Sequence, residues 1–220
     1  MKTLVLDVGG THVKLVATGE EARKFPSGPT LRPAKMIATV RDLAKDWEHE
    51  AVSIGFPAPV VRGKLLRDPV NLGPGWTKID FAKEFGCPVR LINDAAMQAL
   101  GSYDSGRMLF LGLGTGLGSA MVADNVVIAL ELAHLPYKKD RTFEDYVGER
   151  GLLRMGRKRW AESVRDVIDR LRNALVAEEV VLGGGNAKKL KEVPDGIRIV
   201  DNRNAFVGGF RMWQKKYVLP

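Results

Sequence analysis

A carboxylate, two glycines, a hydroxyl and an ammonium follow one another closely in Asp7-Val8-Gly9-Gly10-Thr11-His12-Val13-Lys14. Without β-carbons, Gly9 and Gly10 let backbone N–H groups approach phosphate oxygens. Thr11 adds a hydroxyl donor, Lys14 a positive charge, and Asp7 can hold a hydrated Mg²⁺. The segment fits a phosphate cradle, and equally a Gly-Gly β-hairpin with an incidental Asp before it. The run Gly112-Leu113-Gly114-Thr115-Gly116-Leu117-Gly118 sets four glycines at alternating positions around one threonine. Glycine weakens a strand, so close approach of a ligand to Gly114, Thr115 and Gly116 is the better account. The likeness to GxGxxG is superficial, because a strand-like Ser-Ala-Met-Val follows instead of a helix, which argues against a dinucleotide fold. Gly183-Gly184-Gly185-Asn186 follows a third apolar strand and opens a helical stretch over 187–190, which suits a nucleotide or phosphate at a helix N-terminus. Three glycine turns, each at the end of an apolar strand, point to one phosphate-binding cleft.

Phosphoryl transfer to an alcohol needs a carboxylate within hydrogen-bond reach of the hydroxyl, and Asp94 is the candidate. Asn93 beside it can hold a neighbouring sugar hydroxyl. The same pair also reads as an ordinary helix N-cap. Glu131, His134 and Glu144 form a looser polar set suited to clamping sugar hydroxyls. As metal ligands they are poorly spaced, with neither cysteine nor a second histidine nearby. His12 and His49 look incidental.

The elements that must position these residues follow from hydrophobic periodicity. Strands are expected over 3–8 and 13–18, joined by the first glycine turn, then a helix over 34–49 and a buried strand over 51–56. A turn-rich loop around Asn71-Leu72-Gly73-Pro74-Gly75-Trp76 is long enough to be functional. A strand over 89–92 feeds a helix opened by Asn93-Asp94. The second half repeats the opening: strand 108–113, glycine hairpin, strand 119–123, helices around 144–177, strand 180–182, and a closing helix from about 205 to 216. A strand-hairpin-strand opening that occurs twice, about a hundred residues apart, implies two related α/β lobes. Residues 1–106 with a C-terminal helix at 205–217 would form the first lobe, and 107–204 the second.

The chain of 220 residues carries 45% hydrophobic and 27% charged residues, an ordinary globular balance. Its formal charge of +8 invites a polyanion, but no nucleic-acid motif accompanies it, and Arg154, Arg157, Lys158 and Arg159 read as the wet face of a helix. Cys87 is the single cysteine, so no intrachain disulfide and no cysteine-based zinc site can form, which fits a reducing, cytoplasmic compartment. The N-terminal apolar run is too short for a signal peptide. The longest uncharged stretch, 108–123, is broken by glycines and falls short of a membrane span.

The segments DVGGTHVK, INDAAMQALG, LGLGTGLGSAMV, ELAHLP and VVLGGGN, in this order, resemble the ROK family of sugar kinases, with similarity to its polyphosphate and ATP glucokinase branch. The resemblance implies an α/β, actin-like (ribonuclease H-like) ATPase fold of two lobes with the active site in the cleft between them. It implies Asp94 as general base and Asn71, Asn93, Glu131, His134 and Glu144 as sugar contacts. Gly9, Gly10, Thr11 and Lys14 would form the first phosphate loop, Gly114, Thr115 and Gly116 the second, with Gly183, Gly184 and Gly185 near the nucleoside. It further implies Mg²⁺ reached by Asp7 through water, ATP or polyphosphate as donor, the 6-hydroxyl of a hexose as acceptor, and a possible homodimer. The cysteine-rich zinc motif that follows the histidine in the family is absent here, so zinc is not expected, and Ala133 replaces the usual glycine before His134. A sugar or nucleotide sensor that keeps the fold without the reaction is the alternative.

Overall fold

A computed structural model describes residues 1–193 and 196–220. In chain order its elements are β1 (Thr3–Val8), β2 (His12–Ala17), β3 (Arg23–Pro26), α1 (Pro33–Leu43), β4 (Ala51–Phe56), β5 (Val60–Val61), β6 (Lys64–Leu65), α2 (Phe81–Phe85), β7 (Val89–Asn93) and α3 (Asp94–Ser102). There follow β8 (Arg107–Leu113), β9 (Leu117–Ala123), β10 (Val126–Leu130), α4 (Phe143–Val147), α5 (Glu149–Leu175), β11 (Glu179–Gly183), β12 (Ile197–Ile199) and α6 (Asn204–Arg211).

Two five-stranded sheets result, ordered β3-β2-β1-β4-β7 and β10-β9-β8-β11-β12. Each opens with an antiparallel hairpin, and each then adds two parallel strands beside the first. The same order and the same senses recur, so the repetition seen in the glycine hairpins extends to whole sheets. Parallel strands place their carboxyl ends together. Asp7 is in register with Gly55, which is in register with Ile92, and Gly112 is in register with Gly183. The glycine turns and Asn93-Asp94 therefore all leave their sheets at the carboxyl ends, where open α/β sheets bind ligands.

Alternation along the strands assigns the layers. Leu4, Leu6 and Val8 of β1 face a core shared with α1, Trp76 and Phe81, whereas Val5 faces α3 and α6. In β8, Met108 and Phe110 face that same central layer, while Leu109, Leu111 and Leu113 face α5 through Trp160, Val164 and Ile168. The order is α1, first sheet, α3 with α6, second sheet, α5.

The central layer is thin because its helices touch backbone to backbone. A Cβ on Gly101 of α3 would overlap the Asn204 carbonyl, and one on Gly208 of α6 would overlap the Met97 carbonyl. Ser53 of β4 donates to Gly209 O (2.7 Å), Trp213 Nε1 donates to Ser53 Oγ (2.9 Å), and Arg211 donates to the Leu100 and Tyr103 carbonyls (2.9 and 2.6 Å).

Several expectations change. The helix expected over 34–49 ends at Leu43, where Arg23 donates to the Leu43 carbonyl; Trp47 is buried from a turn, beneath the Arg23 guanidinium 4.1 Å from its ring. The closing helix ends at Arg211 rather than near Lys216, and it lies between the sheets, against α3, β1 and β4. Ala187–Lys189 is one 3₁₀ turn rather than the opening of an α-helix, so it supplies no substantial helix dipole. The expected basic face holds: Arg154, Arg157, Lys158 and Arg159 are exposed on α5. Among the described residues no helix is long and apolar enough to cross a membrane.

Gly208→Ala should lower stability by about 2 kcal/mol or more through overpacking against the Met97 carbonyl. Val207→Ala, on the exposed side of the same helix, should stay within about 0.5 kcal/mol. Urea unfolding of both variants measures the contrast.

Candidate active site

The first glycine turn is held from the β3 side. Gly9 N–H donates to His12 O (3.0 Å), Ser27 Oγ donates to Gly9 O (2.6 Å), and Ser27 N–H donates to Thr11 O (2.9 Å). Carbonyls are thus occupied while the Thr11 side chain stays exposed. Gly10 lies against Asn71, since a Cβ there would come within 3.2 Å of the Asn71 Cβ. The loop that presents Asn71 is organised by Asp68, whose carboxylate accepts from the N–H groups of Gly75 (2.8 Å), Trp76 (2.7 Å) and Thr77 (3.2 Å). These bonds, led by that from Gly75, hold the Asp68 carboxyl below its ordinary range.

Asp7 is buried at the end of β1, and Lys14, its hairpin partner in register, brings Nζ to 3.5 Å from Asp7 Oδ2. Burial pushes the Asp7 carboxyl upward while Lys14 opposes that shift. Asn93 is the last residue of β7 and caps α3, its Oδ1 accepting from Ala95 N–H (2.9 Å) and Ala96 N–H (3.2 Å). Its amide nitrogen donates to Ala58 O (3.4 Å). The N-cap reading therefore holds for Asn93, and it is the reason why Asp94 stands at the first position of α3.

Asp94 is half-buried, and Oδ1 accepts from Ala95 N–H (2.8 Å). Its carboxyl is pushed up to about 7, by burial first and then by repulsion from Asp7 and from Glu131, with the Ala95 N–H working against the shift. Residues from both halves of the chain thus act on one carboxyl. The second hairpin comes close for a steric reason, since a Cβ at Gly118 of β9 would approach Ala95 Cβ to 3.1 Å.

Glu131 and His134 are exposed on the segment leaving β10. Ser119 fixes that exit by donating to Leu130 O (2.9 Å) and accepting from Leu132 N–H (3.2 Å). The segment then folds back on itself, with Glu144 N–H donating to Ala133 O (3.0 Å) and Phe143 N–H to Leu135 O (3.1 Å). Tyr137 stacks against Phe143 and Tyr146 and donates its hydroxyl to Asp166 of α5. The Glu144 side chain is turned toward the second glycine loop: Oε2 accepts from Leu117 N–H (3.1 Å) and Oε1 from Arg150 (3.3 Å). Gly183 and Gly184 stand beside that loop, and Gly184 has φ +82°.

The sequence alone does not single out Asp68, Ser27 and Ser119, which shape the loops, and it offers Asn186 only as the close of the third glycine run. An Asp seven residues before a Gly-Trp turn was the one local signal available for Asp68.

Two lobes of repeated sheet order, with glycine turns and a carboxylate at the strand ends between them, define an actin-like fold with an interlobe cleft. The ROK family model matches residues 3–129, more than half of the chain, and the chain belongs to the ROK family. It is 26% identical over 219 residues to the polyphosphate glucokinase of Mycobacterium leprae, covering 92% of this chain and 64% of that protein. The chain therefore spans somewhat under two thirds of that relative's length. Among solved structures it is similar to the inorganic polyphosphate/ATP-glucomannokinase from Arthrobacter sp. strain KM, with TM-score 0.79, 22% identity and coverage of 94% of this chain and 96% of that one. It is also similar to a ROK family glucokinase from Streptomyces griseus in complex with glucose and AMPPNP, with TM-score 0.73, 16% identity and coverage of 96% and 99%.

A raised carboxyl pKa makes folding proton-linked. The folded protein holds the Asp94 proton up to about pH 7, the unfolded chain only to its ordinary value of 3.8, so this group's stability is lost as pH rises between the two. Asp94→Asn should accordingly melt higher than the parent at pH 8, by about 4 °C or more, with a much smaller difference at pH 4. Equal differences at both pH values would refute the electrostatic account.

Proposed function

We propose that the chain is a sugar kinase, transferring a phosphoryl group from ATP or polyphosphate to the 6-hydroxyl of glucose or a related hexose. The observation that carries this reading is Asp94: a half-buried carboxyl at a strand-to-helix junction, tuned to about 7, flanked by glycine turns from both lobes. A base whose pKa lies near the working pH takes a proton best, since it is ionised and still basic.

In this reading the hexose sits between Asn71, Asn93, Glu131 and His134. Asn93 keeps one amide hydrogen for a sugar hydroxyl, and the 6-hydroxyl gives its proton to the Asp94 carboxylate as its oxygen attacks the terminal phosphorus, whose bond to the bridging oxygen breaks so that ADP, or a polyphosphate one unit shorter, leaves with that electron pair. Gly9 and Gly114 use their own N–H groups inside the two turns, which leaves Gly10 and Thr11 on one side and Thr115 and Gly116 on the other to turn donors to the phosphates, with Gly183, Gly184 and Gly185 beside the nucleoside. Glu144 serves both sides, holding the second loop through Leu117 while its backbone anchors the His134 segment. Lys14 stabilises negative charge next to Asp7.

Among the described residues no group of three or more His, Cys, Asp or Glu is placed so that it could hold a metal ion by itself. The donor set fits a hydrated Mg²⁺ carried mainly by phosphates, with one carboxylate, Asp7, reaching it through water beside the Lys14 ammonium. When bound, Mg²⁺ would neutralise charge on the donor phosphates.

A coupled assay for glucose 6-phosphate with Mg²⁺, run with ATP and with polyphosphate, tests the proposal. Turnover with at least one donor is expected. Asp94→Asn should lower kcat by about 10³-fold or more, losing its base, while glucose binding stays within a few-fold. The parent's kcat should rise as pH increases through about 7, because the ionised form of Asp94 is the active one. Sugar and donor binding without turnover under all conditions would instead favour a sensor.

A further inference from the structure

The second glycine loop is shaped from outside, because Thr115 is its one side chain beyond hydrogen and that residue is exposed. Within the loop Gly114 N–H donates to Gly116 O (3.1 Å). Among the described residues, the other anchors of its leading edge come from two places. The N–H of Glu149, first residue of α5, donates to Gly114 O (3.1 Å) and Thr115 O (3.3 Å). Asn186 supplies the rest: its backbone N–H donates to Leu113 O (2.9 Å) and its side-chain Nδ2 to Gly114 O (3.0 Å).

Asn186 is buried, at 6% exposure, and it immediately follows the third glycine turn. The ordinary use for an asparagine at this position would be to cap the 3₁₀ turn at 187–189, yet its side chain makes no capping bond. It reaches across to the neighbouring loop instead. Backbone contact reinforces the junction, since a Cβ on Gly184 would overlap the Leu113 carbonyl. Two turns 70 residues apart in sequence are thus joined by one buried carboxamide and one missing side chain.

We propose that Asn186 is a positioning residue for the phosphoryl donor: it locks the second glycine loop to the third glycine turn, so that both present their backbone to the donor as one preformed surface. It acts through the Gly114 carbonyl and need not touch the donor. The role demands a donor at Nδ2, because the partner is a carbonyl oxygen; an aspartate of the same shape would set acceptor against acceptor. The inference rests on the kinase reading.

The test is calorimetric titration of the parent, Asn186→Asp and Asn186→Ala with MgADP, inorganic tripolyphosphate and glucose, together with KM values for donor and sugar. At least one donor probe should bind Asn186→Asp about tenfold or more weaker, while glucose affinity stays within twofold. Should Asn186→Asp fail to fold, Asn186→Ala removes the Nδ2 donor without adding a charge and should show the same donor-selective loss. Parent binding of a donor probe with no donor-selective loss in the variants, or with donor and sugar weakened alike, would overturn the positioning role and leave the kinase reading intact. Failure of the parent to bind either donor probe would sink the kinase reading and this inference with it.

Discussion

The crossing of α3 and α6 is the constraint on which the site depends. Among the described residues these two helices form the layer between the sheets, and at Gly101 and Gly208 their backbones meet with no room for a methyl group. Asp94 is the first residue of α3, so the depth at which α3 is seated between the sheets determines how closely the catalytic candidate faces the second hairpin. Interiors packed at crystal density transmit small displacements rather than absorbing them. A crossing built from backbone contact is correspondingly stiff, and it ties the end of the chain to the residues that begin the site.

Around Asp94 the protein maintains an arrangement that works against its own folding. Burial acts first against the Asp94 carboxylate, and Asp7 from one end of the chain and Glu131 from the second half add their repulsion. Lys14 offsets only part of this, by partnering Asp7. Such tension is common where a carboxyl takes up a proton near neutral pH. It also gives each charged ligand of the cleft something to relieve: a cation near Asp7 or a proton arriving from a hydroxyl lowers the same electrostatic cost.

Much of this was readable from the residue pattern. The strands at 3–8 and 51–56 appeared at their observed bounds because fully buried strands leave continuous apolar runs. The glycine hairpins exposed the duplication, and Asn93-Asp94 announced its helix through capping chemistry. Edge strands escaped notice: Arg23–Pro26 and Ile197–Ile199 are short and only half-buried, so alternation has little to work on. The helix expected over 34–49 overruns Leu43 because Trp47 continues the helical spacing while being buried from a turn. Site residues with side chains of their own, such as Asp7 and Asp94, stood out. Asn186 and Asp68 did not, because their importance lies in which distant backbone groups they reach, and local pattern carries no information about that.

The segment bearing Glu131 and His134 is fastened to α5 through Tyr137 and Lys138, which both meet Asp166, with Arg170 completing the group. The Tyr137 hydroxyl, followed by the two cations, draws the Asp166 carboxyl down to about 2. This fastening therefore keeps its charge across any pH at which the protein would work. Its ion pairs are half-exposed and open to screening. Ionic strength, rather than acidity, is the variable to which the segment bearing Glu131 and His134 responds, and because Glu131 is one of the groups that raise the Asp94 carboxyl, a shift in salt that loosens or tightens this fastening reaches Asp94 as well.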